Sequence, residues 1–136
     1  MKRFLIKQLF IGMCLLCALI ANAHDFEVDS IFYSINPDGT TVTVTQEQSD
    51  SYTYYITYHD DVVIPSEVYY NGKTYTVVSI GEHAFMGCDN LIRVTMPNTI
   101  TSIGNDAFHG CSSLIAVDMS NSSLPLDGWH LIIVQA

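Results

Sequence analysis

The most reactive side chains in this sequence are Cys88 and Cys111, with His83 and His109 close to them along the chain. A cysteine nucleophile needs a histidine base beside its thiol, and a structural zinc site needs about four ligands. After Ala23 the chain has neither CxxC nor HxxxH spacing. The histidines are better explained as exposed, variable positions. The sequence therefore predicts no catalytic residue, no metal site, no cofactor and no enzymatic activity.

Cys88 and Cys111 could instead form a disulfide with each other. The interval that separates them in the chain also separates many other pairs of identical residues. If they occupy equivalent strand positions, they lie about 4.8 Å apart, within reach of a disulfide. Equivalent positions point their Cβ atoms in parallel, however. Two buried thiols are therefore favoured over a bridge.

Other polar clusters are weaker candidates. His59-Asp60-Asp61 could contribute oxygens to a Ca²⁺ site, but it lacks the spacing of a calcium-binding loop and fits a solvated bend better. All eight tyrosines lie between Tyr33 and Tyr75. Tyr52 and Tyr54 could belong to an aromatic contact patch, since tyrosine is enriched at interfaces. Packing in a β core is the favoured explanation for these tyrosines.

The N-terminal segment, residues 1–23, is predicted to be a signal peptide. Lys2, Arg3 and Lys7 precede an uncharged apolar run that ends at Ala21-Asn22-Ala23, a small-x-small cleavage site. The run is short for a helix that spans a bilayer, which needs about 20 residues. We therefore expect a secreted or cell-surface protein that keeps no membrane span after cleavage.

The charge of the chain excludes one class of partner. The 136 residues carry a net charge of -9, and removal of residues 1–23 would leave two basic and 14 acidic residues, a net charge of -12. Binding to a phosphate backbone depends on Lys and Arg. Nucleic acid is therefore not an expected partner.

Residues 24–78 are rich in Thr, Tyr, Val and Ile, which favour strands. Phe26 to Ile35 is predicted to form one strand. Asp38-Gly39 and Asn71-Gly72 are sequences typical of hairpin turns. This region is predicted to be mostly antiparallel β structure that forms an N-terminal cap on the rest of the chain.

Residues 79–123 contain two copies of one unit. When Val78–Ile100 is aligned with Thr101–Ser123, 12 of the 23 positions are identical. A fixed period of this length is typical of stacked repeats. Ile80, Ala84, Phe85, Cys88 and Leu91 are spaced as on one face of a short helix, and the residues after Leu91 alternate as in a strand. The predicted repeat core consists of Ile80, Ala84, Phe85, Cys88, Leu91, Val94, Met96, Ile103, Ala107, Phe108, Cys111, Leu114, Val117 and Met119.

Ile64-Pro65 resembles Met96-Pro97, which suggests an earlier repeat. In that repeat, the predicted hairpin at Asn71-Gly72 is inserted before the next Ser-Ile-Gly. Residues 124–136 do not fit the pattern. They are predicted to be an irregular tail, which is either a C-terminal cap or a segment left by truncation of a longer chain.

The segment Ser-Ile-Gly-x-x-Ala-Phe-x-Gly-Cys-x-x-Leu-x-x-Val-x-Met-Pro, residues 79–97, resembles the BspA-like, or Treponema-type, leucine-rich repeat. The resemblance implies an α/β fold, a short right-handed leucine-rich-repeat solenoid preceded by an antiparallel β N-terminal cap, in a secreted or surface bacterial protein. It also implies a non-catalytic module for adhesion and protein binding.

The expected partner is a protein or glycan on the host matrix or on another cell. Variable strand positions are the first candidates to contact it: Arg93, Thr95, Ala116 and Asp118, with Tyr52 and Tyr54 added from the tyrosine-rich region. The alternative is a truncated structural fragment that self-associates through the open C-terminal end of its repeats.

Overall fold

The computed structural model describes residues 24–47 and 58–119. Nine strands are assigned in these two ranges: β1 (Phe26–Val28), β2 (Ile31–Ile35), β3 (Thr41–Thr45), β4 (Asp60–Val63), β5 (Glu67–Tyr70), β6 (Lys73–Ile80), β7 (Leu91–Thr95), β8 (Ser102–Ile103) and β9 (Ala116–Asp118). The predicted signal peptide and tail, residues 1–23 and 124–136, lie outside the described residues, as do Tyr52 and Tyr54. Within the described ranges there is no helix long and apolar enough to cross a membrane.

The larger sheet mixes parallel and antiparallel strands. Its order is β1-β2-β3-β6-β5, and β8 also pairs with β6. The pairs β1/β2, β2/β3 and β5/β6 are antiparallel, whereas β3/β6 and β6/β8 are parallel. Strand β6 therefore belongs both to the N-terminal β region and to the first repeat, and it continues across the predicted boundary between Val78 and Ser79.

The smaller sheet consists of β4, β7 and β9, which are all parallel. Arg93 pairs with Ala116 and Val94 with Val117, the same residues that the repeat alignment matches. Val62 of β4 pairs with Val94 in the same way. Within residues 24–47 and 58–119, the strand before Ile64-Pro65 is therefore the first of three stacked parallel strands, which we call rungs, as the resemblance to Met96-Pro97 suggested.

The predicted α/β solenoid is wrong, because the described residues contain strands and turns but no helix. Where the helix was expected, the N–H groups of Phe85 and Gly87 donate to the carbonyls of Ala107 and His109 in the next repeat, at 2.8 Å each. An α-helix would use those N–H groups internally. The positive φ of His83 (58°) also breaks the helical path. The segment is a series of turns bonded to the neighbouring repeat.

The predicted antiparallel cap also needs correction. Strand β3 lies parallel to β6, so the N-terminal region is part of a mixed sheet. The single strand expected over Phe26–Ile35 is two strands joined by a two-residue turn, Asp29-Ser30, with φ of 50° and 62°. This is the geometry of a type I′ hairpin, which usually contains Asn-Gly or Asp-Gly, and Asp-Ser lacks that signature.

Four rings connect the N-terminal region to the repeats. The rings of Phe32 and Tyr58 lie 6.1 Å apart, those of Tyr58 and Phe85 4.6 Å, and those of Phe85 and Phe108 5.1 Å. We call these four residues the aromatic column. All four are buried, and Phe85 is fully buried. The column runs through the interior from the N-terminal sheet to the last described repeat, so the β region and the repeats share one core.

The residues of the predicted repeat core fall into two groups by burial. The buried members are Ile80, Ala84, Phe85, Cys88, Leu91, Val94, Met96, Ala107, Phe108, Cys111 and Leu114. Ile103, Val117 and Met119 are partly buried and pack against that core.

Candidate functional site

The outer side of the small parallel sheet presents six exposed side chains in two rows. Parallel pairing places equivalent residues of successive strands beside one another. The rows are Asp61–Arg93–Ala116 and Val63–Thr95–Asp118. We call these six residues the strand face.

The alternation of a strand produces this face. Residues two apart point to the same side, so Arg93 and Thr95 share the outer side of β7 while Val94 points inward and is fully buried. The inward valines fix the register, because a slip of one residue would expose them. The strand face is therefore held in place by the core behind it.

The charges on the strand face are sparse and mixed. Arg93 is its one cation, with Asp61 beside it on β4 and Asp118 on β9 diagonally across. No carboxylate in residues 24–47 and 58–119 lies within 4.0 Å of the Arg93 guanidinium. Val63 adds an apolar side chain that is 66% exposed. The face thus combines one cation, two carboxylates and an exposed apolar side chain.

Four of the predicted partner-binding residues, Arg93, Thr95, Ala116 and Asp118, come together on the strand face. Their contact with a partner remains a prediction. Asp61 and Val63 were missed. The resemblance of Ile64-Pro65 to Met96-Pro97 contained the signal for them, since it places residues 60–63 on an equivalent strand.

The described tyrosines divide between core and surface. Tyr58 is buried, accepts a hydrogen bond from the Phe32 N–H at 3.1 Å and donates to the Thr45 carbonyl at 2.7 Å. Tyr69 is 67% exposed, and the Tyr70 ring stacks on Phe26 at 4.2 Å. These side chains lie on β5 and in the core, away from the strand face.

Cys88 and Cys111 are both buried thiols, and no disulfide joins them. The Cys111 thiol donates to the Phe85 carbonyl at 2.9 Å. Burial raises the pKa of Cys111 to about 11. A thiol with such a pKa is a poor nucleophile at neutral pH, because the thiolate is the reactive form.

We expect both thiols to resist alkylation in the folded chain. Iodoacetamide at mildly alkaline pH should leave Cys88 and Cys111 unmodified, whereas guanidinium chloride should make both react at the rate of free cysteine. Because the folded pKa of Cys111 is raised, its reaction should accelerate only as the pH approaches 11. Peptide mapping by mass spectrometry measures each cysteine separately. Rapid modification of Cys111 in the folded chain would show that the repeat stack opens there.

The histidines do not form a site with the thiols. His83 lies 3.9 Å from both Glu82 and Asp106, and His59 contacts Asp60 at 2.8 Å with both side chains largely exposed. Among the residues that the structure describes, no three His, Cys, Asp or Glu side chains are grouped to hold a metal ion.

Comparison with known proteins gives a family and several solved structures. Residues 50–127 match six copies of the BspA type leucine rich repeat region. A leucine-rich repeat protein from Bacteroides ovatus is 34% identical, with a TM-score of 0.59 over 69% of this chain and 23% of its own. A leucine rich cell surface protein from Faecalibacterium prausnitzii is 30% identical, with a TM-score of 0.55 over 71% of this chain and 24% of its own.

A leucine-rich repeat protein from Bacteroides capillosus is 34% identical, with a TM-score of 0.54 over 68% of this chain and 63% of its own. The chain thus spans about a quarter of the first two relatives. No curated protein matches it. The relatives support a repeat fold.

Proposed function

Because the chain belongs to the BspA-type leucine-rich repeat family, we propose that it is a secreted or surface-exposed, non-catalytic adhesion module that binds a protein partner through its strand face. The proposed partner is a protein, or a glycan carried by one, on the host matrix or on another cell. The cell-surface relative from Faecalibacterium prausnitzii supports the location.

The observation that supports this role best is the pair of aligned rows on the strand face. Repeated parallel strands present their outer residues at a spacing of about 4.8 Å, which gives a partner a regular surface to contact. The family as a whole is consistent with protein binding. Arg93 is central to the face, and arginine is one of the residue types enriched at interface hot spots.

The test is binding of the full chain to immobilised type I collagen, laminin and fibronectin, with and without changes on the strand face. We expect saturable binding to at least one of the three. Arg93→Glu and Ala116→Arg should each weaken it by about tenfold or more, the first by reversing a central charge and the second by adding bulk.

Lys73→Glu is the matched control. Lys73 is the other Lys or Arg of the described ranges, and it lies on β6, where its ammonium contacts the Gly39 carbonyl and the Tyr75 ring. This variant makes the same change in net charge away from the strand face. Equal weakening by Arg93→Glu and Lys73→Glu would mean that total charge, and not the strand face, governs binding.

Self-association is the second candidate function. In the described part of the chain, β8 pairs with β6 only, and Ile115 of the last repeat is 59% exposed. Concentration-dependent oligomers in sedimentation, together with no binding to any of the three matrix proteins, would favour this function over adhesion.

A further inference from the structure

Two turns in the described part of the chain place a glycine directly after an Asp or an Asn. Asp38-Gly39 lies between β2 and β3, and Asn71-Gly72 joins β5 to β6. A Cβ built on either glycine would meet nothing within 4 Å, so neither turn is crowded by the rest of the fold. The two turns differ in their hydrogen bonds.

The Asp38-Gly39 turn is held by hydrogen bonds at both of its residues. The Asp38 carboxylate accepts from the N–H groups of Thr40 and Thr41 at 2.7 and 2.8 Å and from the Thr41 hydroxyl at 2.6 Å. The Thr41 hydroxyl and then these backbone N–H groups lower the pKa of Asp38 to about 2. The Gly39 N–H donates to the Asn36 carbonyl at 2.8 Å. Side chain and glycine nitrogen are therefore both occupied.

The Asn71-Gly72 turn is open at the same two groups. Both residues are exposed, with φ of 48° and 81°. The backbone pairing of the hairpin ends at Tyr70 and Lys73, just outside the turn. Neither the Asn71 side chain nor the Gly72 N–H forms a hydrogen bond with any residue in 24–47 and 58–119. The side-chain amide and the nitrogen that follows it are therefore both accessible to water.

The other asparagines of the described ranges lack this combination. Asn36 precedes Pro37, which has no N–H. The leucine after Asn90 already donates its N–H to a carbonyl. Asn98 and Asn105 precede residues whose side chains crowd the nitrogen, whereas a glycine nitrogen has no Cβ beside it.

We propose that Asn71 is a site of spontaneous deamidation in the folded chain. The Gly72 nitrogen attacks the Asn71 Cγ, the bond from Cγ to Nδ2 breaks, and ammonia leaves with the proton that the Gly72 nitrogen gives up through water. One water then opens the resulting succinimide ring at either carbonyl, which yields aspartate or isoaspartate. The sum consumes one water and releases one ammonia, with no oxidation or reduction.

The reaction changes both the charge and the length of the turn. Either product places a carboxylate at the tip of the hairpin, next to Lys73. Isoaspartate also carries the main chain through the former side chain, which adds a methylene to a turn whose length fixes the strand register. We therefore expect the isoaspartate form to melt at a lower temperature than the Asn71→Asp variant, which has the charge without the added length. Equal melting temperatures would contradict this consequence.

The test is incubation of the full chain at mildly alkaline pH, followed by peptide mapping with mass spectrometry. Each deamidation adds about one dalton to one peptide, and an isoaspartate-specific methyltransferase labels the rearranged product. We expect Asn71 to react at least about tenfold faster than the other asparagines of the described ranges, because its neighbour is the glycine. Reaction of Asn71 at the same rate as the others would overturn the proposal.

Asp38→Asn is the matched control, because it places the same Asn-Gly dipeptide in the hydrogen-bonded turn. The introduced amide oxygen can still accept from Thr40 and Thr41, and Gly39 keeps its bond to the Asn36 carbonyl. We expect several-fold slower deamidation at this position than at Asn71 in the same folded molecule, and equal rates in guanidinium chloride, where both turns open. Circular dichroism verifies that the variant is folded. Equal rates in the folded variant, or a difference that persists in denaturant, would show that the open turn does not direct the reaction.

Discussion

Replacing Phe85 with alanine should lower the free energy of unfolding by about 4 kcal/mol, the range seen when a large buried ring is truncated. Phe85 is fully buried and occupies the third position of the aromatic column, with Tyr58 at 4.6 Å on one side and Phe108 at 5.1 Å on the other. The change would leave a cavity between two rings that belong to different rungs. Because small domains have total stabilities of about 5–15 kcal/mol, the loss is a large share of the whole. Urea denaturation followed by circular dichroism measures it.

Phe85→Leu is the control for this change. Leucine retains most of the apolar volume but loses the stacked ring, so we expect a loss of about 1–2 kcal/mol. If alanine and leucine cost the same, the ring contacts and not the filled volume would account for the stability. A loss below about 1 kcal/mol for Phe85→Ala would mean that the aromatic column does not join the two parts of the chain.

Replacing Gly104 with alanine should also be costly, by about 3 kcal/mol, because a Cβ there has no space. It would lie 2.7 Å from the Glu82 Cα and 2.7 Å from the Gly81 carbonyl carbon, which are backbone atoms of the preceding repeat and cannot rotate away. Relief would require lengthening the hydrogen bond from the Gly104 N–H to the Ile80 carbonyl, now 2.8 Å. Thermal and urea denaturation should both report the loss.

The equivalent glycine one repeat earlier serves as the comparison. A Cβ on Gly81 would meet the Val44 carbonyl oxygen at 3.0 Å and the Thr43 methyl at 3.3 Å, and the methyl can adjust. We expect Gly81→Ala to cost about 1 kcal/mol. Equal losses at the two positions would argue against close approach of the repeats as the cause.

Much of the repeat arrangement was predictable from the sequence. The constant offset between the repeats reappears as strand register in the pairs Ser79/Ser102 and Val94/Val117. A constant offset has this consequence because stacked units can pair only residues at the same position in the repeat. The Asn71-Gly72 hairpin also lies where its turn signature placed it, with φ of 48° and 81°.

The expected helix was wrong for a reason that apolar spacing cannot reveal. Ala84, Phe85 and Cys88 point to the core, as a helix face would require, yet alternate N–H groups bond to the next repeat. The spacing of apolar residues indicates which side chains face inward. It does not indicate whether the backbone N–H groups bond within the segment or to the next repeat, because those bonds do not depend on side-chain type. The sequence feature that argued against a helix was Gly87, one residue before Cys88. Its φ is positive (72°), a backbone conformation that glycine adopts without strain.

The strand face was only partly predictable for a related reason. Repeat alignment placed Arg93 and Thr95 beside Ala116 and Asp118, because both pairs lie within the regular units. Asp61 and Val63 lie on the first rung. The β5/β6 hairpin is inserted after it, so the stretch of chain to the next rung is longer than the regular repeat. A cavity beside them is lined by the Asp29-Ser30 turn, which brings a distant segment against β4.

The unequal spacing of the three rungs has a consequence for how the chain folds as it is synthesised. Pairing of the second and third rungs closes the loop from Arg93 to Ala116, and pairing of the first and second closes the longer loop from Asp61 to Arg93. The closure entropy of a flexible loop grows only with the logarithm of its length, so the longer loop costs about 0.3 kcal/mol more. Each rung can therefore dock on the one before it at nearly constant entropic cost. An insertion the size of a hairpin can enter one turn of the repeat without disturbing the assembly of the rest.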